Sequence, residues 1–209
     1  MTYSCRTLCS ILCNQSEVRM KDVYAECPVF ENDMFRLRLI QETDAEDLLS
    51  VYSDPRAVPL FNSDNCNGDD FYYRTIERMK QAAAFWEDSY RSRWFVRWTI
   101  IDKSTGKAAG TIELFRRDSD DFFTDCGLLR LDLGSRYETQ EIITGIIQLI
   151  LAPAYELFGC SMIATKAVPA AAGRRRALEQ AGFRLTEQPL KGHDGTEYGS
   201  YYYRTKERI

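Results

Sequence analysis

The chain has one histidine, His193, among its 209 residues. It also lacks any apolar run of the roughly 18 residues that would cross a bilayer. Net charge is scarce too. The 27 Lys and Arg against 31 Asp and Glu leave −4, which gives no reason to expect a nucleic acid or an anionic membrane as partner. The N-terminus, M-T-Y-S-C-R-T-L-C-S-I-L-C, is interrupted by polar residues too often to be the apolar core of a signal peptide. A soluble, cytoplasmic protein is expected. No internal repeat and no Pro- or Gly-rich linker divides the chain, and its length suits one ordinary domain with some residues to spare.

Cysteine is present, seven times. An odd count without an export signal argues for reduced thiols over a disulfide framework. Cys5, Cys9 and Cys13 recur every four residues and would share one helix face. An iron–sulfur or zinc site would want a fourth ligand or a tighter last spacing, and His193 is far away in sequence. Small apolar cysteines packing one face is the preferred reading, and no metal site is expected. Residues 1–26 read as a cysteine-bearing extension, with Met20 an alternative start, and 27–209 as the domain proper.

Within that domain, M-F-R-L-R-L-I (34–40) alternates like a half-buried strand, and Thr43-Asp44 open a helix that S-D-P (53–55) ends. Tyr72, Ile76, Met79, Ala83, Trp86 and Tyr90 are spaced as one face of a second helix. W-F-V-R-W-T-I-I-D (94–102) and A-A-G-T-I-E-L-F-R-R (108–117) form a hairpin across D-K-S-T-G-K, and C-G-L-L-R-L-D-L (126–133) is a third strand. An apolar helix follows over about 136–158, with Pro153 inside it. Then come a strand at 160–166, a helix stopped by Gly182, and two strands flanking a Gly-rich loop at 192–199. The order β-α-α-β-β-β-α-β-α-β-β gives an α/β (α+β) fold: a mixed, mostly antiparallel sheet flanked by helices.

That order, with F-R-L-R-L-I-Q-E-T-D-A-E-D-L before S-D-P, D-K-S-T-G-K-A-A-G-T-I-E-L at the hairpin and R-A-L-E-Q-A-G-F near the end, resembles the GNAT acetyltransferase superfamily. The likeness spans about 28–205 and is nearest to the branch that acetylates N-termini of ribosomal proteins. It implies a single GNAT-like domain with acetyl-CoA as co-substrate. The acceptor would be a small-molecule or peptide amine, and a homodimer is left open. It places acetyl-CoA in a splay between the strands holding Leu133 and Ile163, with pantetheine on the backbone of Leu131 to Leu133. The pyrophosphate loop falls on Glu138-Thr139-Gln140-Glu141-Ile142-Ile143, where the family reads Arg/Gln-x-x-Gly-x-Gly/Ala. All three defining positions differ. The family's asparagine falls on Ala171, its serine, a proposed proton donor, on Arg174, and its tyrosine on Leu178.

The charges in that loop can be weighed. A helix N-terminus favours an anion by about 0.3–1 kcal/mol. One carboxylate about 5 Å from a phosphate charge opposes it by roughly 3 kcal/mol at an effective dielectric near 20. Ser135 and Glu138 also fit a capping box, which predicts a helix starting a turn early and satisfying its own donors. Opposing this, Thr139, Gln140, Glu141 and Ile142 still offer backbone N–H groups. Arg174, with Arg175, Arg176, Arg130 and Arg136, could hold CoA phosphates or be a solvated face.

Acetyl transfer needs a base for the amine and an oxyanion donor. By the resemblance, Asp132 and Glu113 lie on strands beside the substrate cleft and are the candidate bases, with a strand N–H near Leu131 for the oxyanion. Tyr201 to Tyr203 offer hydroxyls as acids. Cys126 and Cys160 look too buried to act as nucleophiles. Two functions follow: an N-acetyltransferase with a modified cofactor loop, or a catalytically silent GNAT-fold binding protein whose acetyl-CoA binding is weakened or lost.

Overall fold

The computed structural model of the chain describes residues 22–206. The expected helix face of Cys5, Cys9 and Cys13, and Met20, lie outside the described residues. Val23 is buried in the main core, its carbonyl accepts from Tyr90 Oη at 3.0 Å, and Asp22 pairs with Arg93 at 2.9 Å.

Strands β1 (Phe30–Glu31) and β2 (Phe35–Leu39) lead into β3 (Val96–Asp102), β4 (Lys107–Arg117) and β5 (Cys126–Leu133) as antiparallel neighbours. The sheet continues through β6 (Met162–Lys166), which runs parallel to β5. β10 (Tyr201–Thr205) then pairs antiparallel with β6 and with β7 (Arg184–Leu185). A small hairpin, β8 (Leu190–Lys191) with β9 (Glu197–Tyr198), stands apart in the Gly-rich loop. The mixed, mostly antiparallel sheet agrees with the sequence reading, which had not separated β1, β8 and β9 as strands. Two-residue strands carry too little alternation to announce themselves.

Among the described residues, two helices cover each face. α1 (Ala45–Tyr52) and α2 (Ile76–Arg91) pack Leu48, Tyr52, Met79 and Trp86 against one side. α3 (Gln140–Leu157) and α4 (Ala172–Gln180) pack Ile143, Ile147, Ala177 and Leu178 against Leu129, Leu131 and Leu133 on the other. Among the described residues, no helix is long and apolar enough to cross a membrane. Gly182 has φ +82 and closes α4 as its sequence position implied.

α2 begins four residues later than the spacing of Tyr72 implied. Asp69 and Asp70 accept the N–H groups of Phe71 and Tyr72, both at 2.9 Å, and Phe71 takes φ +60. These local bonds compete with the helix. Thr75 then caps it, accepting from Arg78 N at 3.3 Å.

Candidate functional site

β5 and β6 pair only from Cys126–Met162 to Leu129–Thr165. β5 runs on to Leu133, so among the described residues its last turn of edge toward β6 faces no strand. A side chain fills this parting. Arg174, in the first turn of α4, donates from Nη1 to Leu131 O at 2.7 Å. Its Nε and Nη2 donate to the two carboxylate oxygens of Glu138, the former at 3.3 Å. Arg174 is only 2% exposed and Glu138 8%. A two-pronged guanidinium–carboxylate contact is among the stronger hydrogen-bonded pairs. Once buried, it is costly to break from one side, at about 3–5 kcal/mol.

The capping box expected of Ser135 and Glu138 does not form. Ser135 opens a short 3-10 turn through Tyr137, and its N–H donates to Asp54 Oδ2 at 3.1 Å. Glu138 is drawn away to Arg174. The helix therefore starts at Gln140, where Thr139 caps it by accepting from Ile142 N at 3.4 Å. Serine and glutamate three apart satisfied the local rule, but a buried arginine 36 residues on is the stronger partner for the carboxylate.

α4 lies close over this turn. A Cβ added to Gly173 would stand 2.8 Å from Glu138 O. Gln140 is held by Gln180, at 2.9 Å, and by Arg176, at 3.2 Å. Glu141 points to solvent, and Leu133 is buried in the core. Of the residues singled out for a cofactor, Leu131, Thr139, Gln140, Ile142 and Arg174 therefore gather at one place, bonded to each other or to neighbours.

Asp132 and Glu113 lie on the opposite face of the sheet, under α1 and α2. Register puts Arg97, Glu113 and Arg130 directly opposite one another on β3, β4 and β5. Glu113 Oε2 accepts from Arg97 Nη2 at 2.5 Å and Nε at 3.0 Å, and its Oε1 from Arg130 Nη1 at 2.6 Å. Asp132 Oδ2 accepts from Tyr52 Oη at 2.9 Å and Arg97 Nη1 at 3.1 Å. Its Oδ1 has no hydrogen-bond partner among the described residues.

Burial works to raise both carboxyls, but the outcomes diverge. Arg97 and Arg130 overcome burial at Glu113 and hold it below its ordinary range. At Asp132 burial prevails over Arg97, and the carboxyl rises. Burial and then the Asp132 carboxylate push Tyr52 well above the ordinary phenol range.

The sequence reading missed Arg97, Tyr52 and Thr111 in this cluster, where Thr111 Oγ1 accepts from Arg97 Nη1 at 2.9 Å and lies 2.7 Å from Tyr52 Oη. The register set by the turn at Gly106 would put Arg97 opposite Ile112; a bulge between Ile100 and Ile101 shifts the pairing by one residue and brings Arg97 against Glu113. Cys126 and Cys160 are buried as expected, and burial pushes the Cys126 thiol up to about 12. Tyr201 Oη donates to Asp64 Oδ2 at 3.1 Å, and Asp64 is itself held by Lys166 at 2.6 Å.

Above the Arg97–Glu113–Arg130 row is a cavity of about 350 Å³ with Phe71, Tyr73, Phe85, Trp86 and Phe95 among its walls. A second cleft of about 680 Å³ adjoins it and shares Arg130, Phe85 and Phe95.

A family model described as an acetyltransferase (GNAT) domain matches residues 35–184. The chain belongs to the GNAT family. No curated protein matches this GNAT chain in sequence. Solved structures do match in fold. A putative ribosomal-protein-serine acetyltransferase from Vibrio cholerae is 11% identical, with 86% of this chain and 98% of that one covered and a TM-score of 0.64. A ribosomal-protein-S5-alanine acetyltransferase from Vibrio fischeri is 18% identical, covering 85% and 96%, with a TM-score of 0.62. RimJ from Mycobacterium smegmatis, solved with a CoA disulfide, is 14% identical over 82% and 81%, with a TM-score of 0.62.

The strand parting is where the family resemblance puts the coenzyme, with pantetheine on the β5 backbone. In this GNAT chain that backbone acceptor, Leu131 O, is already bonded to Arg174, and Glu138 O lies against Gly173. Acetyl-CoA would have to displace the Arg174 guanidinium from that edge.

Proposed function

We propose that this chain is a GNAT-fold binding protein whose coenzyme gap is filled by its own Arg174–Glu138 pair, with ligand recognition left to the α1/α2 face. One observation carries the reading: the Arg174 guanidinium rests on Leu131 O with its charge met by Glu138. Both residues are departures from the family pattern, and they compensate each other. Glutamate at the head of the loop would repel a diphosphate, yet here it has a buried partner. Asp132 and Glu113 then act as members of an ion-pair cluster that ties the sheet to α1, not as proton acceptors.

A second reading, an acetyl-CoA-dependent N-acetyltransferase acting on a primary amine, is favoured by the family match over residues 35–184. It requires Arg174 to leave Leu131 and turn to a phosphate.

Calorimetric titration with acetyl-CoA separates the two. The binding-protein reading expects no heat for the unaltered chain at millimolar coenzyme, and recovery of binding in the double variant Glu138→Gln/Arg174→Ser. Micromolar binding by the unaltered chain would instead establish the transferase reading's premise.

A further inference from the structure

The α1/α2 face carries a cavity whose chemistry can be read further. Its floor is the Arg97–Glu113–Arg130 row, and both oxygens of Glu113 are committed to the two arginines. Asp132 is fully buried below them and does not line the cavity. No carboxylate on the floor is thus left to draw an ammonium. Asp69 at the rim accepts from Arg78 at 2.5 Å and from Tyr73 at 2.9 Å.

Donors remain available. A guanidinium has five N–H groups. Arg130 directs one from Nη1 to Glu113 and one from Nη2 to Asp64 O, at 2.6 and 2.9 Å. Its side chain is 13% exposed and borders both cavities. Arg97 covers a face of Trp86 at 4.1 Å, so its own guanidinium is committed beneath the cavity and Arg130 is the donor left to a ligand. At the mouth Phe85 is 53% exposed, and Trp94, which lines the adjoining cleft, is 63% exposed, their rings 6.5 Å apart. Large exposed aromatics beside a cleft mark a place where something binds. The volume is that of a small-ligand site, apolar-walled with few convergent polar groups.

We propose that this cavity binds a small planar aromatic carboxylate, its ring against Phe85 and Phe95 and its carboxylate on the unspent N–H groups of Arg130. The inference rests on the binding-protein reading in placing the ligand on this face, and it extends that reading by naming the ligand's chemistry. An aromatic amine of the same shape meets two guanidiniums and no free carboxylate, and is refused.

Indole-3-acetate and tryptamine share a ring and differ in the sign of their charge. Each is titrated into the full chain without acetyl-CoA, following heat and melting temperature. Indole-3-acetate binds and raises Tm, and tryptamine binds at least about tenfold more weakly, as the loss of one charge-assisted bond requires. Arg130→Gln abolishes the preference for the acid. If that variant does not fold, Phe85→Ala serves, since its side chain is half in solvent, and it weakens indole-3-acetate severalfold. Equal or tighter binding of tryptamine, binding of neither compound, or an unchanged affinity in Phe85→Ala overturns the proposal. With acetyl-CoA absent, these outcomes are separate from any result at the β5–β6 gap.

Discussion

Glu138 and Arg174 stand at the heads of two different helices and share a buried two-pronged contact, with the remaining guanidinium arm on Leu131 O. The pair links the turn before α3 to the start of α4 and crosses the only part of β5 that no longer has β6 beside it among the described residues. A coenzyme would have to displace a satisfied charge pair as well as enter a gap.

The pair's energetics can be separated by a mutant cycle. Glu138→Gln leaves a guanidinium that is 2% exposed without its counter-charge, and should cost about 3–5 kcal/mol in urea denaturation. The double variant Glu138→Gln/Arg174→Met should lose much less than the sum of the single losses. Additive losses would contradict a coupled pair.

Gly173→Ala tests the closeness of α4 to the loop. The new methyl would lie 2.8 Å from Glu138 O, a backbone atom with little freedom to yield. A loss of about 1–3 kcal/mol is expected from such overpacking. An unchanged midpoint would mean that the two segments are not in contact.

The ion-pair cluster should matter far more than surface pairs. Arg97→Leu takes from Glu113 one of its two arginines and from Asp132 the cation it is paired with, all at 1% exposure or less. It should destabilise by about 3–5 kcal/mol. Arg91→Ala breaks two ion pairs of a side chain that is 65% exposed, and should cost under about 1 kcal/mol. Similar losses for the two variants would refute the ranking.

Alkaline pH should weaken the fold. Burial raises the Cys126 thiol from 9.0 to about 12. Below pH 9 it is protonated whether folded or unfolded, so its contribution is complete. Between pH 9 and 12 only the unfolded chain gives up the proton, and stability falls as pH rises, by up to about 1.4 kcal/mol per pH unit. Cys27 moves the same way, from 9.0 to about 12. Unfolding midpoints taken between pH 8 and 11 should decline, and Cys126→Ala should make the decline shallower. An equal slope in the variant would remove Cys126 from the account.

The large elements were legible because their periodicity is long. Phe35 and Leu37 alternate with arginines, and Met79, Ala83 and Trp86 recur on one helix face, so β2 and α2 could be placed with only end errors. Those errors have local causes. Asp69 and Asp70 take backbone N–H groups before α2, and Glu138 leaves its expected serine before α3. Side-chain partners across long loops were not legible. The Glu138–Arg174 pair spans 36 residues and Tyr52–Asp132 spans 80, and neither spacing follows from any local period. Arg97–Glu113 was hidden for a different reason: a bulge between Ile100 and Ile101 moves the hairpin register by one residue, and without it Arg97 would face Ile112.

The most direct measurement is a crystal structure of the chain grown with millimolar acetyl-CoA. The account predicts Arg174 still on Leu131 O and Glu138, with no pantetheine along β5 between Arg130 and Leu133. Density for pantetheine on that edge, with the diphosphate over the N–H groups of residues 139–143 and Arg174 swung away, would contradict it.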